Sequence, residues 1–285
     1  MNLQHILKEI EKVDPEVYGK LDTRRQVMKR FSFAGKVLAA AAVPFAFGSM
    51  FKKAYGQSTT NDIVDVLQYA LTLEYLEAEF YTMAVATTGV IPAGPALGAL
   101  TTIRDHEVAH VDFLKEALQG LNVTPVAKPT FDFSAGNGSQ DGPFKDVFKN
   151  YDLLLAVAQA FEDTGVRAYK GQAPRLMSNN GVLQAALQIH SVEARHAAHI
   201  RQMRRARGGA LVTGTVKPWI TGDDSNINSA AVQPIYNGED ETMQATVEIV
   251  NLGGQQISAN AASEAFDEIL TKDQVLAIVG PFIAG

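Results

Sequence analysis

The chain of 285 residues contains no cysteine. Disulfides, thiolate metal sites and cysteine nucleophiles are therefore excluded. Tryptophan occurs once, as Trp219. Basic residues are scarce over most of the length. Residues 1–56 hold ten Lys/Arg against five Asp/Glu, and the remainder holds 15 against 26. Such an acidic body lacks the basic footprint that nucleic acid requires, and it suits a protein that gathers cations. Long hydrophobic runs are missing too. The most apolar stretch, residues 37–47, is short for a bilayer span, although residues 31–51 reach the length of an uncleaved membrane anchor.

That apolar run has a context. A short amphipathic helix over residues 1–22 precedes Thr23-Arg24-Arg25-Gln26-Val27-Met28-Lys29. The apolar run follows, and small residues occur near Ala54-Tyr55-Gly56. A basic region, an apolar run and small residues form the three-part layout of an export signal. The paired arginines resemble a twin-arginine signal, with Val27 and Met28 where the usual pattern has Phe and Leu. This order predicts a periplasmic or otherwise exported protein, handled by the twin-arginine machinery, with residues 1–56 as the signal.

Beyond it, apolar periodicity predicts four long helices, over residues 62–86, 99–118, 151–169 and 180–205. A Pro- and Gly-rich stretch, 121–150, separates the second from the third. Residues 209–285 read as an irregular extension that ends in short helices and packs on the bundle or on a partner subunit, so that a homodimer is compatible. Trp219 is expected to anchor it, and Thr271-Lys272-Asp273-Gln274 has the capping-box pattern.

Two of the helices carry Glu-x-x-His: Glu107 with His110, and Glu193 with His196. That spacing places both side chains on one helical face, about 60° apart. Carboxylate and imidazole are ligands for divalent metals of intermediate hardness. The other two helices carry Glu74 and Glu162 inside apolar stripes, where a carboxylate is costly unless paired or bound to metal. Each of these acids is followed by a tyrosine two turns on, Tyr81 and Tyr169. Glu77 shares the face of Glu74, while its counterpart in the third helix is Gly165. It is expected to be an extra ligand or to support one. His106, His190 and His199 fall beside the ligand face, and supporting or solvent-exposed roles are expected for them.

The chain therefore repeats: one Glu, a Tyr, then one Glu-x-x-His. A four-helix bundle with one long crossover can aim such a set at a pair of metals. Leu73–Tyr81, Asp105–Leu114 and Val192–Ala198 resemble the ferritin-like superfamily of dinuclear carboxylate proteins. They are most similar to the branch of plant desiccation-related and exported bacterial members. The resemblance covers residues 57–208 as an all-α ferritin-like bundle. It implies Glu74 and Glu162 as terminal ligands, Glu107 and Glu193 as bridging carboxylates, and His110 and His196 as one imidazole per metal. It implies two divalent ions, iron or manganese, and as partners dioxygen, peroxide or ferrous iron. Ferroxidase, oxidase and catalase-like reactions fit. A non-catalytic stress-protection role and iron storage are the alternatives.

Overall fold

The computed structural model describes residues 60–284. The expected export signal lies outside the described residues. Helix α1 (Thr60–Ala86) runs for 27 residues without Gly or Pro. Helix α2 (Pro95–Gly120) begins four residues earlier than its apolar pattern predicts. Pro95 occupies the first turn, where its fixed φ and missing N–H cost nothing, and Gly94 before it takes φ 96°. Helix α3 (Tyr151–Gln172) is capped by Asn150, whose side chain accepts from the backbone N–H groups of Asp152 and Leu153. Helix α4 (Asn180–Arg207) is capped in the same way by Asn179. Gly208 ends it at φ 67°, a conformation that favours glycine.

Short connections make α1 and α2 one hairpin and α3 and α4 another. The crossover between them is held by a buried acid. Asp132 accepts hydrogen bonds from Ser134 N (3.0 Å), Ser134 Oγ (2.6 Å), Gly138 N (2.9 Å) and Gln140 N (3.0 Å). Burial alone would raise its pKa, but these donors outweigh it and hold the carboxyl below its ordinary value.

The sequence predicts a single inward stripe on α1. In the structure α1 is covered nearly all round, with Tyr69, Leu73, Tyr75, Leu76 and Phe80 buried as well. The cover is the crossover. Gln68 Nε2 donates to Thr124 O at 2.8 Å, and Phe80 packs on Phe133 and Phe148, with ring centroids 5.6 Å away in both cases. Phe80 also meets Phe161 of α3 at 5.1 Å, and Phe161 meets Phe282 at 4.9 Å. One aromatic cluster thus joins both hairpins, the crossover and the C-terminus.

The extension covers α3. It contains α5 (Gln233–Tyr236), α6 (Ala259–Ser263) and α7 (Lys272–Val279), the last with the expected capping box at Thr271 and Gln274. Strand β1 (Thr130–Phe131) of the crossover pairs antiparallel with β4 (Ile283–Ala284) at the C-terminus. A two-residue-per-strand hairpin, β2 (Met243–Gln244) with β3 (Val247–Glu248), lies between α5 and α6. Trp219 is not the anchor: it is half-buried and its indole N–H has no partner. The anchors are Tyr236, which donates to Asp163 at 2.7 Å, and Glu239, which pairs with Arg167 at 2.7 Å with both side chains 1% exposed. Gly171 of α3 lets the Leu270 carbonyl approach, because a Cβ there would lie 2.1 Å from that oxygen. Among the described residues, no helix is long and apolar enough to cross a membrane.

Candidate metal centre

Each bundle helix delivers acids or imidazoles to one level of the core. Glu74 and Glu77 come from α1, Glu107 and His110 from α2, Glu162 from α3, and Glu193 and His196 from α4. Glu107, Glu162 and Glu193 are wholly buried, and Glu74, Glu77 and His196 are at most 5% exposed. The six residues singled out from the sequence fall into two groups of four. Glu74, Glu107, His110 and Glu193 form one, and Glu107, Glu162, Glu193 and His196 form the other. Within each group one ligand atom per residue lies within 4.8 Å of all the others. Glu107 and Glu193 belong to both.

The imidazoles point into these groups. His110 Nδ1 lies 3.2 Å from Glu74 Oε2, 3.1 Å from Glu107 Oε2 and 3.3 Å from Glu193 Oε1. His196 Nδ1 lies 2.8 Å from Glu107 Oε1, 3.2 Å from Glu162 Oε2 and 3.8 Å from Glu193 Oε2. One ring nitrogen cannot satisfy three carboxylates by hydrogen bonding. Glu107 Oε1 and both Glu193 oxygens are indeed buried without a hydrogen bond, the 2.8 Å approach of His196 being out of line for one. Ligands about 2.1 Å from a shared ion and at right angles to each other are about 3 Å apart, which is the spacing seen here.

Electrostatics point the same way. Burial raises the carboxyls of Glu74, Glu77 and Glu162 well above their ordinary value, and the neighbouring acids add to it. For Glu107 burial is outweighed by His110 and His196, and its carboxyl drops to about 2. For His196 burial opposes protonation, yet Glu162, Glu107 and Glu193 overcome it and raise the ring to about 12. His110 is raised likewise, by Glu107, Glu193 and Glu74. Among the described residues, five buried carboxylates share two imidazoles and no Lys or Arg ion pair. Uncompensated burial of that kind costs several kcal/mol per ion. Divalent cations would supply the missing charge, and the donor set of oxygen and imidazole nitrogen suits them.

The surroundings orient these groups. Tyr81 of α1 donates its hydroxyl to Glu162 Oε1, and Tyr169 of α3 donates to Glu74 Oε1. Both tyrosines are therefore hydrogen-bonded core residues. Glu77 stands beside Gly165: a Cβ on that glycine would be 3.4 Å from both Glu77 Oε1 and Glu193 Oε2. Glu77 is the fifth acid of the centre but belongs to neither group of four. His106 Nδ1 sits 2.9 Å from His196 Nε2, with the two rings stacked at 14°. It is exposed and also supports His196, a contact between helices that spacing within one helix could not reveal. His190 turns away to the Val166 carbonyl at 3.0 Å, and His199 is exposed.

No curated protein matches the chain. The family model for the ferritin-like domain matches residues 62–206, just over half of the length and the same segment that folds into α1–α4. Fold, paired hairpins and match agree that the chain belongs to the ferritin-like family.

Proposed function

We propose that this protein binds two iron or manganese ions, which Glu107 and Glu193 would hold in common, and that the ions would supply redox chemistry with dioxygen or peroxide. The observation that carries the reading is the sharing of Glu107 and Glu193 between two groups of four ligand atoms. Glu74 and His110 complete one metal position, and Glu162 and His196 complete the other. Paired ions supply two-electron exchange with a dioxygen species. The chain's own residues do the rest. Tyr81 and Tyr169 fix the orientation of the two terminal carboxylates by donating to their second oxygens. His106 contacts His196 Nε2, which leaves Nδ1 directed at the acids. Glu77 is a buried carboxyl beside Glu193, and burial and the neighbouring acids favour its protonated form, which puts an exchangeable proton next to the shared acids. The aromatic cluster around Phe80 and Phe161 excludes water from one side. Residues 1–56 would direct the folded protein to export by the twin-arginine route. Elemental analysis after reconstitution with ferrous or manganous ions, combined with peroxide- and dioxygen-consumption assays, tests the reading. About two ions per chain are expected, and a stoichiometry near zero overturns it.

A further inference from the structure

We propose that the β2–β3 hairpin and the stretch 264–269 beside it form a docking surface for a basic amphipathic segment of another protein. The inference does not depend on the metal centre. Twelve large apolar side chains are exposed among the described residues, and five of them are Met243, Val247, Leu252, Phe266 and Ile269, each 43–53% exposed. Hydrogen bonds set the two stretches side by side. Gln244, which pairs with Val247 across the hairpin, donates to Glu268, and the Glu268 N–H donates to Glu239 Oε1 at 3.1 Å. The hairpin turn is formed by Ala245 and Thr246, at φ 49° and 69°. Positive φ at both central residues gives the turn whose twist matches paired strands. A β-branched residue such as Thr246 adopts that conformation rarely, and such strain collects where a surface serves a ligand.

The charge around these side chains has one sign. Residues 218–271 contain nine Asp/Glu and no Lys/Arg. Asp240, Glu241, Glu248 and Asp267 are exposed, and among the described residues none of them has an ion pair with Lys or Arg. Lys170 of α3 reaches the Asp267 backbone carbonyl rather than its carboxylate. Exposed apolar side chains among unpaired acids call for a partner that brings apolar contact and positive charge together. A helix with an apolar face and a Lys/Arg face does both. A second copy docking through the same face would set acid against acid. An anionic bilayer would be repelled for the same reason.

The test uses the full chain and two synthetic peptides, read by fluorescence anisotropy. One is a helix with Leu on one face and Lys on the other, and the second is a Ser/Lys peptide of equal charge. The Leu/Lys helix is expected to bind more tightly than the Ser/Lys peptide. Val247→Ser with Phe266→Ser should weaken it about tenfold or more. Glu241→Gln with Asp267→Asn should flatten the salt dependence of binding, and glutamine at 241 keeps the acceptor for the Met243 N–H. Phe113→Ser with Glu116→Gln, an exposed pair on α2, should change nothing. Equal binding of the two peptides, or equal weakening by the α2 pair, overturns the proposal. So does a dimer that Phe266→Ser dissolves, which gives the face to a second copy. Binding to phosphatidylglycerol vesicles that the same substitution abolishes gives it to a membrane and also overturns the proposal. Melting curves show which variants fold. If the serine variant melts early, the charge variant decides, and an unchanged salt dependence overturns the proposal.

Discussion

Tyr81 of α1 donates its hydroxyl to Glu162 of α3, and Tyr169 of α3 returns the same bond to Glu74 of α1. The two hairpins are thus tied across the centre by a reciprocal pair. Tyr81→Phe and Tyr169→Phe each leave one buried carboxylate oxygen without its donor. Each is expected to cost about 1–3 kcal/mol of stability, read by denaturant unfolding. Metal affinity is expected to fall by about 10–100-fold, read by competition with a chelator. An unchanged affinity would show that the tyrosines only pack.

The shared and unshared acids should behave differently. Glu107→Ala and Glu193→Ala are expected to abolish binding of both ions, whereas Glu74→Ala or Glu162→Ala should leave about one ion per chain. Metal content per chain, measured after gel filtration, separates the cases.

The pH dependence of the metal-free protein follows from the same acids. Glu74, Glu77 and Glu162 have folded-state pKa values raised well above the ordinary 4.5. They bind more protons folded than unfolded, so their contribution is present below 4.5 and is lost as pH rises above it. The raised His110 and His196 rings act in the same direction at higher pH, while the lowered Glu107, like Asp132 of the crossover, opposes over the acidic range up to about its ordinary value. Stability of the metal-free protein is therefore expected to decline from mildly acidic toward alkaline pH. Metal loading should reverse the trend, since ions displace those protons. Melting curves with and without metal across pH 5–9 check the sign.

Gly171→Ala tests how the extension is seated. In an exposed helix this change stabilises by about 1 kcal/mol. Here the new Cβ would meet the Leu270 carbonyl at 2.1 Å, so destabilisation is expected instead. Arg167→Ala strands Glu239, whose carboxyl burial pushes up to about 7 against the pull of Arg167. The loss should be about 3–5 kcal/mol, with faster proteolysis of residues 209–284. A stabilised Gly171→Ala would mean that the extension is not held against α3.

The sequence by itself determined the four helices, the crossover and which acids and imidazoles share a helix face. Those features are periodic: the helix turns every 3.6 residues, so Glu107 with His110 and Glu193 with His196 must share faces whatever surrounds them. The capping box at Thr271 is legible too, because its partners lie three residues apart. What only the tertiary structure decided lies between elements distant in the chain. Tyr81 and Glu162 are 81 residues apart, Arg167 and Glu239 are 72 apart, and His106 reaches His196 from another helix. Trp219 illustrates the gap: a lone tryptophan reads as an anchor, yet the extension is seated by Tyr236 and Glu239, because a buried ion pair and hydroxyl find partners on α3 that no pattern within the extension encodes.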